Sequence, residues 1–100
     1  MSSSNIQAVT KTADGHAIAG RTRVVGIYFT NTATGSSFSL KNGSTSSGTA
    51  LITINTPASA GASDLIIPDM GILFDTGVFI DVADVNVTSV TLLFQGGAAQ

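Results

Sequence analysis

Few residues of this chain could carry acid–base or nucleophilic chemistry. There is one histidine, His16, two positions after Asp14. A Ser-His-Asp triad needs an imidazole aligned between a nucleophile and an orienting carboxylate, and a chain rich in serine and aspartate contains all three residue types by chance. No G-x-S-x-G sequence occurs. We therefore predict that His16 is a surface turn residue next to the Asp14-Gly15 turn, and we expect no catalytic residue and no enzymatic activity.

The densest group of oxygen ligands is the segment 81–86, Asp-Val-Ala-Asp-Val-Asn. Hard cations such as Ca²⁺ need several oxygens from one tight loop. This segment lacks the D-x-D-x-D-G spacing and a following glutamate, so we predict the end of a strand and a hairpin turn, with no metal site. Neither lysine follows a glycine as in a phosphate-binding P-loop, and no cofactor is expected.

Arg21 and Arg23 are the strongest local concentration of positive charge, and on a strand they share one face. Binding of nucleic acid needs a broader cationic surface and usually stacking aromatic residues. The isoelectric point of about 4.7 also argues against it, so no nucleic-acid partner is expected. Two interpretations of the arginines remain: solvated charges that discourage stray pairing at a sheet edge, or ion pairs with an acidic neighbouring subunit.

The composition is that of a β protein. Charged residues make up only 10% of the chain, against ~25% in an ordinary soluble domain. There is no glutamate, while 30 of the 100 residues are β-branched, which argues against a helical bundle or a coiled coil. The absence of cysteine excludes a disulfide framework. The longest apolar run, residues 24–29, is too short to cross a bilayer, so no membrane partner is expected.

The charges are divided by sign along the chain. All four cations and one aspartate, Asp14, lie in residues 1–50, whereas five aspartates and no cation lie in residues 51–100. This division favours head-to-tail contacts between copies of the chain. The alternative is that the aspartates occupy turns, where Asp is common.

Short β-prone runs alternate with clusters of Gly, Ser, Asn and Pro, which is typical of a sandwich or barrel. The predicted strands cover residues 6–11, 21–31, 37–41, 50–55, 64–67, 71–74, 77–82 and 87–95. We therefore predict an all-β fold: a single-domain antiparallel β-sandwich of about eight short strands, with a jelly roll as one possible arrangement. Residues 1–17 are predicted to be an N-terminal arm with one weak strand, 18–95 the sandwich, and 96–100 a flexible tail.

The predicted strand 21–31 is apolar on both faces. Val25, Ile27 and Phe29 alternate on one face, and Val24, Gly26 and Tyr28 on the other. A strand of this kind is either central or covered on its outer side by a neighbouring molecule.

Three stretches resemble small proteins of marine tailed bacteriophages. They are Ile-Ala-Gly-Arg-Thr-Arg-Val-Val-Gly-Ile-Tyr at 18–28, Gly-Ile-Leu-Phe-Asp-Thr-Gly-Val-Phe-Ile at 71–80 and Ser-Val-Thr-Leu-Leu-Phe at 89–94. The resemblance covers most of residues 18–95. It implies a β-sandwich and a non-enzymatic structural part of a virion, such as a capsid decoration (cement) subunit, and it carries over no catalytic or binding residue.

The expected partners are the major capsid protein or other virion proteins, and further copies of the chain in a homo-oligomer. Short side chains lose little entropy when a neighbour covers them, so the Ser, Thr, Gly and Ala content suits such contacts. The predicted interface residues are Ile6, Val9, Arg21, Arg23, Val24 and Tyr28. The alternatives are a tail, neck or fibre module and a module that binds host glycans. The glycan alternative is weakened because the predicted loops 42–48 and 56–63 contain no aromatic residue.

Overall fold

The computed structural model describes residues 6–100, and within them all regular structure is β-strand. Every strand pair is antiparallel. The eight strands are β1 (Gln7–Lys11), β2 (Gly15–Asn31), β3 (Ser37–Asn42), β4 (Thr49–Asn55), β5 (Gly61–Ile66), β6 (Ile72–Phe74), β7 (Gly77–Val82) and β8 (Val87–Ala99). The predicted all-β antiparallel fold with eight strands is confirmed.

The strands form one continuous sheet in the order β1-β8-β2-β7-β3-β4, with β5 and β6 also paired to β2. The central strand is β2, which is 17 residues long. One of its edges pairs with β8, and its other edge pairs in succession with β7, β6 and β5. Because β2 belongs to both halves of the sheet, a bend in this strand folds the sheet on itself.

The bend lies where three glycines meet. The register between β2 and β8 shifts between Ala19 and Thr22, and φ is 86° at Gly20, 74° at Gly96 and 68° at Gly97. Glycine adopts these left-handed conformations at little steric cost. A bulge of this kind increases the local twist and bends the strand, and we call this point the corner.

Two layers face each other across the core. One layer contains β5, β8, β1 and the second half of β2, and the other contains β7, β3 and β4. Phe29 of β2 and Phe38 of β3 touch across the space between them, with ring centroids 5.3 Å apart at an interplanar angle of 63°. The buried apolar side chains are Ala17, Ile18, Val24, Ile27, Phe29, Phe38, Leu40, Phe74, Val78, Ile80, Val87, Val90, Leu92 and Phe94.

Not all of the strands are short, and this corrects the predicted boundaries. The long strand β2 begins at Gly15 rather than at Arg21, and Ala17, placed in the predicted arm, is fully buried. The predicted tail 96–100 is the end of β8, which pairs with β2 up to the pair Ala99–Ile18. Gly96 and Gly97 bend β8 without ending it. Of the predicted arm, β1 pairs with β8 of its own chain, and residues 1–5 lie outside the described residues.

Candidate functional site: an exposed sheet face

The residues considered from the sequence as candidates for acid–base chemistry do not form a common site. His16 lies within β2, opposite Phe79 of β7, and not in a turn, so that prediction is wrong. Its Nε2 atom is buried without a hydrogen-bond partner in the described part of the chain. Asp14 does lie in a turn, where its Oδ1 accepts a hydrogen bond from the N–H of Val82 at 2.8 Å. The carboxylate of Asp14 thus anchors the β1–β2 turn to β7.

The two carboxylates of the segment 81–86 each bind other groups of the protein and do not face a common metal site. Asp81 forms an ion pair with Lys41 at 2.7 Å. Asp84 accepts hydrogen bonds from the N–H of Asn86 at 2.9 Å and from the Ser36 hydroxyl at 2.8 Å. These two bonds, the backbone one first, lower the pKa of Asp84 below its ordinary value of 3.8. Between residues 6 and 100, no cluster of three or more His, Cys, Asp or Glu could hold a metal ion.

Opposite charges from the two halves of the sequence pair inside one molecule. Besides Lys41–Asp81, Arg21 approaches Asp75 at 3.7 Å, with both side chains largely exposed. The sign division along the chain is therefore satisfied in part by folding, and this weakens the case for head-to-tail contacts.

Three charged side chains have no hydrogen-bond or ion-pair partner within residues 6–100: Arg23, Asp64 and Asp69. Asp69 lies in the turn before β6, at a left-handed φ of 56°. Arg23 and Asp64 belong to the same exposed sheet surface.

We define the outer face as the solvent-facing side of the layer formed by β5, β6, β2, β8 and β1. The register places its residues in rows across the strands. One row is Ile66, Gly26, Leu93 and Ala8, and the next is Asp64, Tyr28, Thr91 and Thr10. A third row, at the corner end, is Leu73, Arg23 and Gln95.

The middle of the outer face is apolar and exposed. Ile66 is 66% exposed and Tyr28 is 45% exposed. Gly26 has no side chain between its two neighbours, and a Cβ built there would lie 3.1 Å from Cδ1 of Leu93 and 3.5 Å from Cδ1 of Ile66. These two side chains therefore close over Gly26 and form an apolar strip across the sheet.

A β-bulge decides which side chains of β2 reach this face. The register with β8 shifts between Val24, which pairs with Phe94, and Gly26, which pairs with Leu93, so Val25 is the extra residue. The side-chain alternation changes phase there, because a one-residue slip moves side chains to the opposite face. Val24 therefore joins Ile27 and Phe29 in the core, while Gly26 and Tyr28 face outward.

This bulge corrects the predicted interface. Val24 is fully buried and cannot contact a partner. Val9 packs against the core from the edge strand β1, opposite Leu92. The structure leaves Arg21 exposed, Arg23 half-buried on the outer face, Tyr28 exposed and Ile6, which directly precedes β1, 47% exposed. The sequence-based prediction missed Ile66 and Leu93, whose position beside Gly26 depends on pairing with distant strands.

The surface of the described residues includes a groove and a cleft. A groove of about 540 Å³ lies at the end of the molecule where the β1–β2 and β7–β8 turns meet, and exposed Val85 lies on its rim. A cleft of about 280 Å³ at the corner is lined by both arginines together with Thr22, Leu73, Gln95 and Gly96. His16 lines neither of them.

Comparison with known proteins does not establish a family for this chain. Neither a protein-family model nor a curated protein sequence matches this chain. The solved coat protein of tobacco streak virus is similar in structure, with a TM-score of 0.43 and 11% sequence identity, over 98% of this chain and 90% of that one. At this TM-score the likeness establishes neither a common fold nor a common function. No helix in the described part of the chain is long and apolar enough to cross a membrane.

Proposed function

We propose that this chain is a non-enzymatic structural protein of a virion and, within that class, a capsid decoration subunit that binds the capsid lattice of a tailed phage. The observation that carries this proposal is a surface suited to contacts with other proteins: the outer face is apolar and sparsely charged, with Tyr28 and Ile66 exposed. At its side, β1 is an edge strand of the described sheet. Exposed apolar patches of this kind typically serve contacts between proteins.

The nature of the remaining surface supports the same role. Few ionised groups must be stripped of water when a neighbour covers the molecule, because two of the four cations are already paired with aspartates. Short hydroxyl side chains pair across neighbouring strands, as between Thr10 and Thr91 at 2.8 Å and between Ser39 and Thr53 at 2.8 Å. They lose little further entropy on binding. The resemblance of residues 18–95 to marine phage proteins supports the virion assignment.

We place the contact with the major capsid protein at the edge strand β1 and the residues before it. Among residues 6–100 this strand pairs with β8 alone, so with respect to these residues its other edge presents backbone groups that an extended segment of a neighbour can pair with. Ile6 directly precedes β1 and is 47% exposed.

The experiment is a measurement of occupancy. Purified protein is added to particles that lack it, bound copies are counted by quantitative mass spectrometry, and cryo-electron microscopy locates them. Saturation at hundreds of copies in lattice symmetry supports decoration, whereas a handful at one vertex or on the tail means a tail, neck or fibre module. No binding to any part of the particle would overturn the virion role.

The role of the β1 end is tested with two variants. Deletion of residues 2–5 leaves all eight described strands in place and should lower particle occupancy. The matched control is Val85→Ser at the far end of the molecule, where Val85 is 87% exposed. Equal occupancy for the deletion variant, the control and the wild type would overturn the assignment of this contact.

A host-glycan-binding module is the second candidate, and one observation favours it. Tyr28 lies between Asp64 and Thr91 in one row of the outer face, and sugars stack on an exposed aromatic ring flanked by polar groups. A glycan-array signal that Tyr28→Ala abolishes would support this function over lattice binding.

A further inference from the structure

We propose that the outer face binds the outer face of a second copy of this chain, in a two-fold symmetric dimer whose charged contacts are Arg23 of each copy with Asp64 of the other. This proposal does not depend on the assignment to a virion. It concerns a different surface from the β1 edge to which we assign capsid binding.

The outer face carries one unpaired charge of each sign. Arg23 and Asp64 are the two charged residues in the three rows of the outer face, and neither has a partner in the described part of its own chain. One is a cation and the other an anion. A surface that carries one unmatched charge of each sign is complementary to itself if a rotation exchanges their positions.

Arg23 and Asp64 lie on opposite sides of the apolar strip. Along β2, Arg23 precedes Gly26, and the row of Tyr28 and Asp64 follows it. A two-fold axis that lies along the strip, across the strands, reverses the strand direction in the second copy. It therefore places Arg23 over the row that contains Tyr28 and Asp64 of the second copy.

In this arrangement Arg23 of one copy can also reach Asp64 of the other across the direction of the strands. Asp64 is directly opposite Tyr28 on the neighbouring strand, so the two are offset by about one strand spacing of ~4.8 Å. An arginine side chain spans that offset, and its guanidinium can form a two-pronged contact with the carboxylate. The Tyr28 ring lies beneath the same position and can accept a cation–π contact.

The apolar strip fits the same two-fold arrangement. With the axis along the strip, Ile66 faces Ile66 of the second copy and Leu93 faces Leu93. Aligned sheets pack in this way at about 10 Å, through the side chains of their facing surfaces. Dimerisation would thus remove from water the Ile66 side chain, which is 66% exposed in one chain.

The expected dimer is weak. The face is four strands wide, about 15–20 Å at the usual strand spacing, so it is small beside the ~800 Å² per partner of a standard interface. We therefore expect dissociation in the micromolar to millimolar range. Sedimentation velocity over about 10 μM to 1 mM covers that range.

Charge reversal provides the test, with the full chain in solution. Arg23→Glu and Asp64→Lys each bring like charges together twice in a symmetric dimer and should raise the dimer Kd by about tenfold or more. The double variant restores opposite charges and should bring the Kd back to within about threefold of the wild type. The control is Lys11→Glu, which changes the net charge as Arg23→Glu does but lies on β1, outside the charged rows.

Ile66→Lys tests the apolar strip, and thermal melting of every variant verifies that it is folded. Concentration-dependent dimerisation that the single charge variants weaken, the double variant restores and the control leaves unchanged supports the proposal. A wild type that stays monomeric up to 1 mM would overturn it. So would a dimer insensitive to both single variants, or a double variant that fails to restore binding. These results are independent of particle occupancy, so failure of the dimer and failure of the virion role are distinguishable.

Discussion

Thr22 of β2 and Gly97 of β8 lie against each other at the corner of the sheet. A Cβ atom on Gly97 would overlap Oγ1 of Thr22 and lie 2.6 Å from Cγ2 of Ile18. Thr22 is only 1% exposed, and its hydroxyl donates to the carbonyl of Gly20 at 2.8 Å. Thr22 therefore cannot move aside without losing this bond, and the two strands can cross at the corner only with glycine at position 97.

Gly97→Ala should destabilise the fold strongly. The substitution introduces a methyl group into occupied space and places alanine at a φ of 68°. The two costs together should lower the free energy of unfolding by about 2–4 kcal/mol, and at ~4–8 °C for each kcal/mol this is a fall in Tm of at least about 8 °C. Circular dichroism during heating measures it.

The matched control for the corner is Gly15→Ala at the start of β2. A Cβ at Gly15 meets no atom within 4 Å, so its Tm should stay within about 4 °C of the wild type. If Gly97→Ala had the same Tm as Gly15→Ala, the corner would not need glycine at position 97, and the described crossing of β2 and β8 would be wrong.

Asn31→Asp should be destabilising although the two side chains have the same shape. The Nδ2 group of Asn31 donates to the carbonyl oxygens of Thr32 at 2.8 Å, Pro57 at 3.1 Å and Ser59 at 2.9 Å. The residue is 6% exposed. A carboxylate there would face three acceptors with no proton to donate, at a cost of about 2–4 kcal/mol at pH 7.

Urea denaturation of Asn31→Asp and of Asn55→Asp provides the comparison. Asn55 ends β4 and is exposed, so its conversion to aspartate should change the free energy of unfolding by less than about 0.5 kcal/mol. Equal stability of the two variants would mean that Asn31 does not tie the end of β2 to the loop at 57–59.

The eight strands were predictable because local chemistry marks their limits. Pro57 and Pro68 cannot continue a strand ladder, and Asn42-Gly43 is a common hairpin dipeptide. Phe38 and Leu40 alternate with polar residues in the predicted strand 37–41, a pattern typical of a strand with one buried face, and both are buried. Signals of this kind lie within a few residues of the feature that they mark.

The bulge at Val25 and the corner at Gly96 and Gly97 were not predictable in the same way. Both depend on the register between β2 and β8, which are distant in sequence. A period-of-two pattern carries no sign of an inserted residue, so it placed Val24 on the wrong face. The same pattern read two successive glycines as a tail, although they bend a strand that continues. The candidate surface was therefore only partly predictable: Tyr28 and Arg23 from one strand, but not Ile66, Leu93 or the pairing of Asp64 with Tyr28.

The pKa of Asp84 should be lower than its ordinary value. The N–H of Asn86 and, to a lesser extent, the Ser36 hydroxyl stabilise the carboxylate, so the pKa of Asp84 is lower in the folded state than in the unfolded chain. A carboxyl group whose pKa is lower in the folded state stabilises the fold. This stabilisation is complete at a pH above the pKa of the unfolded chain, and it is lost as the pH falls through the pKa of the folded state. The difference in free energy of unfolding between the wild type and Asp84→Ala should therefore narrow from about pH 5 downward.

Carboxyl ¹³C NMR measures this pKa directly. Ser36→Ala removes one of the two hydrogen bonds and should move the pKa of Asp84 upward while leaving the bond from Asn86 in place. A pKa of Asp84 at or above 3.8 in the wild type would contradict the described β7–β8 turn.

The two-layer core is tested by a pair of leucines on adjacent strands. Leu40 of β3 is fully buried, whereas Leu51 of β4 is 42% exposed. Leu40→Ala should cost about 2–5 kcal/mol, because it removes buried apolar area and leaves a cavity that the two layers cannot close. Leu51→Ala should cost less than about 1 kcal/mol, since water already reaches that side chain. Chemical denaturation measures both. Equal losses would mean that the layer of β7, β3 and β4 does not cover the core, whereas a large loss for Leu40→Ala alone requires the second layer to be in place.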